Sequence, residues 1–216
     1  MEQRKKAIVF FDGNNFYHNL KASFIKPGNI QMAKVSGLVG NHFNCDVIKS
    51  IYYNSIPSIE DGKDRYYGHI KFLNEIKNYP NFEIKTRKLQ RLSNREAISV
   101  MNNEISALGL CNVCKPVVLS HWADYIGSVS VKEKGIDVLI CIDMIRICLI
   151  EKKCDACIVI SGDADFIPAY DLLKSSGISV FTAMTAKGYS YEVRQNFPWF
   201  ILDKNLLKDK CFKDKH

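Results

Sequence analysis

Four aspartates punctuate the apolar runs of this chain. Ala7-Ile8-Val9-Phe10-Phe11 stops at Asp12-Gly13-Asn14-Asn15, and Cys157-Ile158-Val159-Ile160 stops at Ser161-Gly162-Asp163-Ala164-Asp165-Phe166. Between them, Lys134-Gly135-Ile136-Asp137 opens a third apolar stretch. Carboxylates crowded together repel one another, and they persist side by side when a hard cation such as Mg²⁺ or Mn²⁺ joins them. Such an ion lowers the pKa of bound water and stabilises the charge that builds on a phosphate under attack, while a second ion steadies the leaving oxygen. The chemistry these residue types point to is therefore hydrolysis of a phosphodiester, with no histidine or serine nucleophile required.

The elements that must position these groups follow from the pattern of the runs. Short apolar runs bounded by turn residues read as buried parallel strands, and open parallel sheets bind ligands beyond the carboxyl ends of their strands. Asp12, Asp163 and Asp165 should then face one crevice. Strands are predicted over 7–12, 46–54, 82–89, 156–160 and 178–182, with an edge strand at Trp199 to Leu202. Helices are predicted over Phe16 to Ala22 (capped by Asn14 or Asn15), through Met32 to Phe43 and Tyr66 to Ile76, and over Ile136 to Ile150, Phe166 to Ser175 and Ser190 to Phe197. The alternation predicts an α/β, three-layer Rossmann-like domain with a mainly parallel central sheet and right-handed crossovers. Residues from about 90 to 131 read as an insertion before the Asp137 helix, with local structure that includes a helix from Arg95 to Leu108. The domain is expected to span 1–203, and the lysine-rich tail 204–216 to fray.

Each aspartate also has a purely structural reading. Asp165 could cap the helix that starts at Phe166, Asp12 could stabilise a turn, and Asp137 could answer a helix dipole. Three such roles meeting at one sheet edge is the less economical account. Neither a Walker-type loop nor a GxGxxG is present, which disfavours nucleotide cofactors of those kinds. A phosphatase of the haloacid dehalogenase type is disfavoured too, because Asn14 stands where its second aspartate belongs.

Three further constellations bear on partners. Lys85, Arg87, Lys88, Arg91 and Arg95 form a basic stretch beside the third strand; with Tyr52 and Tyr53 on the neighbouring strand they could guide a single-stranded backbone and stack its bases. The alternative is a solvated sheet edge protected by lysines. Cys111-x-x-Cys114 and Cys154-x-x-Cys157 give a formal four-cysteine count, but Cys157 begins a buried strand. Cys111 and Cys114, with His121 nearby, are the better half-site for a structural Zn²⁺, and free thiols in an inserted hairpin are the stronger reading. The remaining histidines pair with no nucleophile.

The order FFDGNNFYHNL (10–20), KGIDVLICIDM (134–144) and VISGDADFIPAYDLLKSSGISVFT (159–182) resembles the NYN domains, PIN-like proteins related to metal-dependent ribonucleases. The SGDxDF block is the most specific of the three. The resemblance implies a PIN-like fold whose acidic pocket binds one or two Mg²⁺ or Mn²⁺ ions. Carried over by position, Asp12, Asp137, Asp163 and Asp165 would be the metal and catalytic carboxylates, Asn15 would orient the first loop or a phosphate, and Ser161 would support the pocket through its hydroxyl. The implied activity is an endoribonuclease leaving 5′-phosphate products; the alternative is a non-hydrolytic RNA-binding or regulatory module on the same fold. Asp143 matches a recurrent family acid, yet it lies roughly 240° round the helix from Asp137. It is expected either to support the metal ligands from behind the pocket or to serve as a helix-packing or salt-bridge residue.

Composition agrees with an ordinary folded protein: of 216 residues, 47% are hydrophobic and 25% charged, which excludes global disorder. The net charge of +7 suits a polyanionic partner such as RNA. No run approaches the roughly 20 apolar residues of a membrane span, and the stretch after Lys5-Lys6 is too short for a secretory signal. A reducing cytoplasm, without disulfides, is the expected compartment, and a homodimer is compatible with the sequence.

Overall fold

The apolar segment Lys5–Asp12 forms β1 because its residues are wanted on both faces of a sheet. Ala7, Val9 and Phe11 enter one hydrophobic core, and Ile8 and Phe10 enter another on the opposite side. Helices must cover both faces of such a strand, giving three layers. The computed structural model describes residues 3–59, 62–88, 90–91, 94–118, 131–132 and 135–214. After β1 come α1 (Gly13–Ala22), a 3₁₀ turn (Pro27–Asn29), α2 (Met32–His42), β2 (Cys45–Ile56), α3 (Lys63–Lys77) and β3 (Phe82–Lys88). Next are β4 (Gln90–Arg91), α4 (Asn94–Ala107) and β5 (Val131–Lys132). The chain continues with α5 (Ile136–Met144), a π-helical turn (Ile145–Ile150), β6 (Ala156–Ile160), a 3₁₀ turn (Ala164–Phe166), α6 (Ile167–Ser175), β7 (Ser179–Thr185), α7 (Tyr191–Asn196), β8 (Trp199–Leu202) and α8 (Lys204–Lys210).

Six strands form one all-parallel sheet in the order β3-β2-β1-β6-β7-β8. The order reverses between β1 and β6, which pair from Ala7↔Ala156 to Phe11↔Ile160. That reversal is the place where an open α/β sheet opens a crevice at its carboxyl edge, and both aspartate-bearing loops leave from it. The chain divides into two compact units, one made of Met1–Arg87 with Gly135–His216 and the other of Lys88–Lys134. The second unit holds the antiparallel pair β4–β5 and helix α4.

Two local expectations change. The lysine-rich end does not fray: Asp203 caps α8 by accepting from the amides of Asn205 and Leu206. Leu207 and Cys211, one turn apart on one face, are fully buried. Ile30 bridges to Phe212, and Lys213 pairs with Glu75 at 2.6 Å. Lys208 and Lys210 are exposed while two apolar residues at helical spacing hold the segment down. The first helix also starts earlier than expected, at Gly13, with Asp12 as its cap.

Candidate functional site

Alternation along β1 continues past Phe10 to Asp12, so its carboxylate faces the α5–α6 side of the sheet. It is 4% exposed. One oxygen, Oδ1, accepts from the Asn15 amide at 3.1 Å, which makes Asp12 the N-cap of α1. The other, Oδ2, accepts from the Ser161 hydroxyl at 2.9 Å, across to the loop after β6. Ser161 Oγ in turn accepts from the Asp163 amide at 3.2 Å, and Asp163 Oδ1 accepts from the Asp165 amide at 3.0 Å. A continuous chain of hydrogen bonds thus runs from the end of β1 through Ser161 to both aspartates of the SGDAD loop. Asp163, not Asp165, is the residue that caps the turn after β6.

Two glycines allow this approach. A Cβ on Gly13 would lie 2.3 Å from the Tyr53 carbonyl and 2.7 Å from the Tyr52 ring. One on Gly162 would lie 2.5 Å from the Gly188 carbonyl and 2.6 Å from Tyr189 Cα. Asn15 ties the same loops together: its Oδ1 accepts from Asn19 Nδ2 at 2.8 Å and from the Gly162 amide at 3.4 Å. Asn19 also donates to the Gly188 carbonyl at 3.3 Å. Asn15 is therefore a loop-orienting residue, and Asn19, one turn further on, is its partner.

The electrostatics draw the remaining acids into the same region. Burial pushes the Tyr170 hydroxyl well above its usual pKa, and the charges of Asp12 and Asp163 add to the effect. Burial raises the Cys141 thiol as well, followed by the fields of Asp137 and then Asp165. Tyr170 also feels Cys141. Ser161 joins Asp12 to Asp163 by hydrogen bonds, and Asp137 stands in the first turn of α5 after the left-handed Gly135. Sequence reading missed Tyr170; its only sequence sign is a tyrosine facing inward one helical stretch after Asp163.

Asp143, lower on α5, is 3% exposed and has a different environment. It accepts from Lys85 Nζ at 2.6 Å, Arg146 Nη2 at 2.9 Å and the Tyr53 hydroxyl at 2.9 Å. Burial alone would raise its pKa, but the bonds from Lys85, Arg146 and Tyr53 outweigh that and hold it below the ordinary carboxylate range. Lys85 is thereby engaged inside the protein, bridging Asp143 and Glu83, while Arg87 and Lys88 are exposed. Tyr52 and Tyr53 are 1% and 0% exposed and cannot stack on bases. They sit on β2, whose two faces enter opposite cores: Tyr52 packs in one with Leu73 and Ile76 of α3, and Tyr53 in the other with Ile136 and Ile140 of α5.

The donor set suits a hard cation. Among the described residues no three His, Cys, Asp or Glu side chains converge closely enough to enclose an ion by themselves. Mg²⁺, however, usually keeps several waters and takes one or two carboxylates, which Asp12 and Asp163 can supply. The Tyr170 hydroxyl, fully buried and without a hydrogen-bond partner among the described residues, lies in the field of those two carboxylates, and such a group fits beside a hydrated cation. Zinc at the cysteines is a poorer match. Cys111 and Cys114 are exposed and joined by a Cys114 amide bond to Cys111 Sγ at 3.4 Å, and His121 lies outside the described residues. Cys154 is buried against Cys148, Sγ to Sγ 3.3 Å, far from that motif in sequence.

The model of the NYN domain family matches residues 6–202. The fold is similar to the crystal structure of a Vibrio parahaemolyticus protein of unknown function, with 16% identity, a TM-score of 0.55, and coverage of 95% of this chain and 97% of the other. No curated protein matches the chain. Among the described residues no helix is long and apolar enough to cross a membrane.

Proposed function

Because the chain belongs to the NYN domain family, within the PIN-like nuclease superfamily, we propose that it is a metal-dependent endoribonuclease that hydrolyses RNA phosphodiester bonds at the carboxyl edge of β1 and β6. The observation that carries this reading is the hydrogen-bonded line from the Asp12 carboxylate through Ser161 to the Asp163 amide, which ties two aspartates 151 positions apart together at the reversal of strand order.

Asp12 and Asp163 would hold a divalent cation, Mg²⁺ or Mn²⁺, with Asp137 and Asp165 completing the acidic rim. Such an ion would supply an acidified water and charge neutralisation at the scissile phosphate. Asp12 cannot swing away, because Ser161 and the Asn15 amide fix one oxygen each. Asn15 holds the Gly162 amide and thereby the direction of the SGDAD loop. An acid of the rim receives the proton released by the attacking water. The net charge of +7 favours a polyanion as substrate.

Incubation with labelled RNA under Mg²⁺, Mn²⁺ and chelator tests the proposal. Cleavage should require the cation, and Asp12→Asn and Asp163→Asn should each abolish it while circular dichroism stays native. Full activity in both variants would overturn it, and metal-independent tight binding without cleavage would assign a binding module instead.

A further inference from the structure

The surface first expected to stack bases is buried, but a second aromatic and cationic surface lies against the acidic loop itself. Tyr189, in the loop after β7, is the residue that a Cβ on Gly162 would strike, and the Ser190 amide donates to the Gly162 carbonyl at 2.7 Å. Gly162 separates Ser161 from Asp163, so Tyr189 packs against the backbone of the loop that carries Asp163. The Arg194 guanidinium lies over the Tyr189 ring at 4.7 Å and over the Trp199 ring at 4.1 Å. Tyr189 and Trp199 remain 37% and 40% exposed, and Tyr191 between them in sequence is 71% exposed.

The same loop carries a second such contact. Lys187 and Lys204 reach over the ring of Phe24 at 5.7 and 5.6 Å, and Phe24 is 83% exposed. Exposing that much aromatic surface on one face is unusual, and a positive charge over the rings of Tyr189, Trp199 and Phe24 suits an anionic partner with flat rings of its own. Among the described residues none of Arg194, Lys187 and Lys204 forms an ion pair, so their charges are available to phosphates.

We propose that Tyr189, Arg194 and Trp199 form a base-stacking platform for single-stranded RNA, next to the scissile phosphate, and that Phe24, Lys187 and Lys204 extend the track along the backbone. Exposed rings interleaved with cations are how sequence-tolerant single-strand binding is built, because every base offers a π-face. A duplex keeps its bases stacked inside and presents no free faces, so single strands are selected. The assignment deepens the ribonuclease reading and rests on it only for the position of the phosphate.

Binding measured in chelator separates the two. By fluorescence anisotropy, a labelled single-stranded RNA octamer should bind about tenfold tighter than an abasic octamer of equal charge. Tyr189→Ala and Arg194→Lys should remove that preference while leaving abasic binding unchanged, and Lys187→Ala with Lys204→Ala should weaken both ligands. The chain has two tryptophans; in a Trp122→Phe protein, emission from Trp199 should be quenched by the base-bearing octamer and not by the abasic one. Equal affinity for both octamers, or a preference that survives Tyr189→Ala and Arg194→Lys, would overturn the platform even if metal-dependent cleavage is found. Loss of the preference in those variants would uphold it even if no RNA is cleaved.

Discussion

Asp12 and Asp143 are the same residue type, 4% and 3% exposed, yet their hydrogen-bond partners differ in kind. Asp143 is ringed by Lys85, Arg146 and the Tyr53 hydroxyl. Its charge is offset inside the fold, and its oxygens are engaged by donors 2.6 to 2.9 Å away. Asp12 is oriented by a hydroxyl and a backbone amide, and its neighbours at the sheet edge include another carboxylate, whose field Tyr170 feels together with its own. Burial alone therefore does not distinguish a functional acid from a structural one; the company each keeps does. A buried carboxylate among cations is a packing element, whereas one held in place beside like charges is set up for a cation from outside.

The comparison breaks most sharply in a pair of isosteric variants. Asp12→Asn should lower the cleavage rate by about 10³-fold or more, since several kcal/mol of charge stabilisation go with the ion, while thermal unfolding shifts by only a few degrees. Asp143→Asn should do the reverse. Removing one member of a buried ion pair costs about 3 kcal/mol here, the lower end of the usual range, because Arg146 is 43% exposed. For a chain of this size that is about 6–12 °C in Tm by calorimetry, with the cleavage rate of the folded fraction within about tenfold of wild type. A collapse of activity in Asp143→Asn at unchanged Tm would erase the distinction.

Acid titration sharpens it further. The folded Asp143 has its pKa below the ordinary value of 3.8. Its stabilisation is therefore fully present above that value and is lost as pH falls through the lower folded one. The Tm difference between wild type and Asp143→Asn should stay constant above about pH 5 and shrink below about pH 4. A difference that grew on acidification would mean that the carboxyl is held protonated.

Much of this arrangement was legible because its signals are short-range. Apolar runs broken by DGNN and SGDAD mark strands ending in chemistry, and the parallel order follows from alternation with helices. The NYN match over 6–202 agrees with the resemblance of the three motif blocks. What was not legible depends on distant neighbours. The partner of Asp143 lies 58 residues away on β3, so no spacing rule points to Lys85, and the same lysine looked available to RNA. Tyr52 and Tyr53 carry the composition of a stacking pair, and only the helices packed on each side of the sheet show that both faces of β2 are covered. The tail misled for a related reason: lysines dominate its composition, whereas Leu207 and Cys211 decide its position. Tyr189, Arg194 and Trp199 are spread over eleven positions of turn, helix and edge strand, and only their packing unites them.

The smallest effect tests the hinge of the comparison, the Ser161 hydroxyl. It both donates to the Asp12 carboxylate and accepts from the Asp163 amide, so it ties the first aspartate to the backbone that carries the second. Ser161→Ala removes a bond to a charged group, worth about 1.5–3 kcal/mol, and frees Asp12 Oδ2 to rotate. Part of that loss is recovered because a water can reach the half-exposed Asp163 side of the loop. Cleavage should fall by about tenfold, and the Mn²⁺ concentration for half-maximal rate should rise by a similar factor, as outer partners of metal ligands usually require. Asp143→Asn, measured in the same titration, should leave the Mn²⁺ midpoint where it was. If instead Ser161→Ala lowers Tm but not metal affinity, the hydroxyl merely packs two loops together, and Asp12 and Asp143 are held for the same reason.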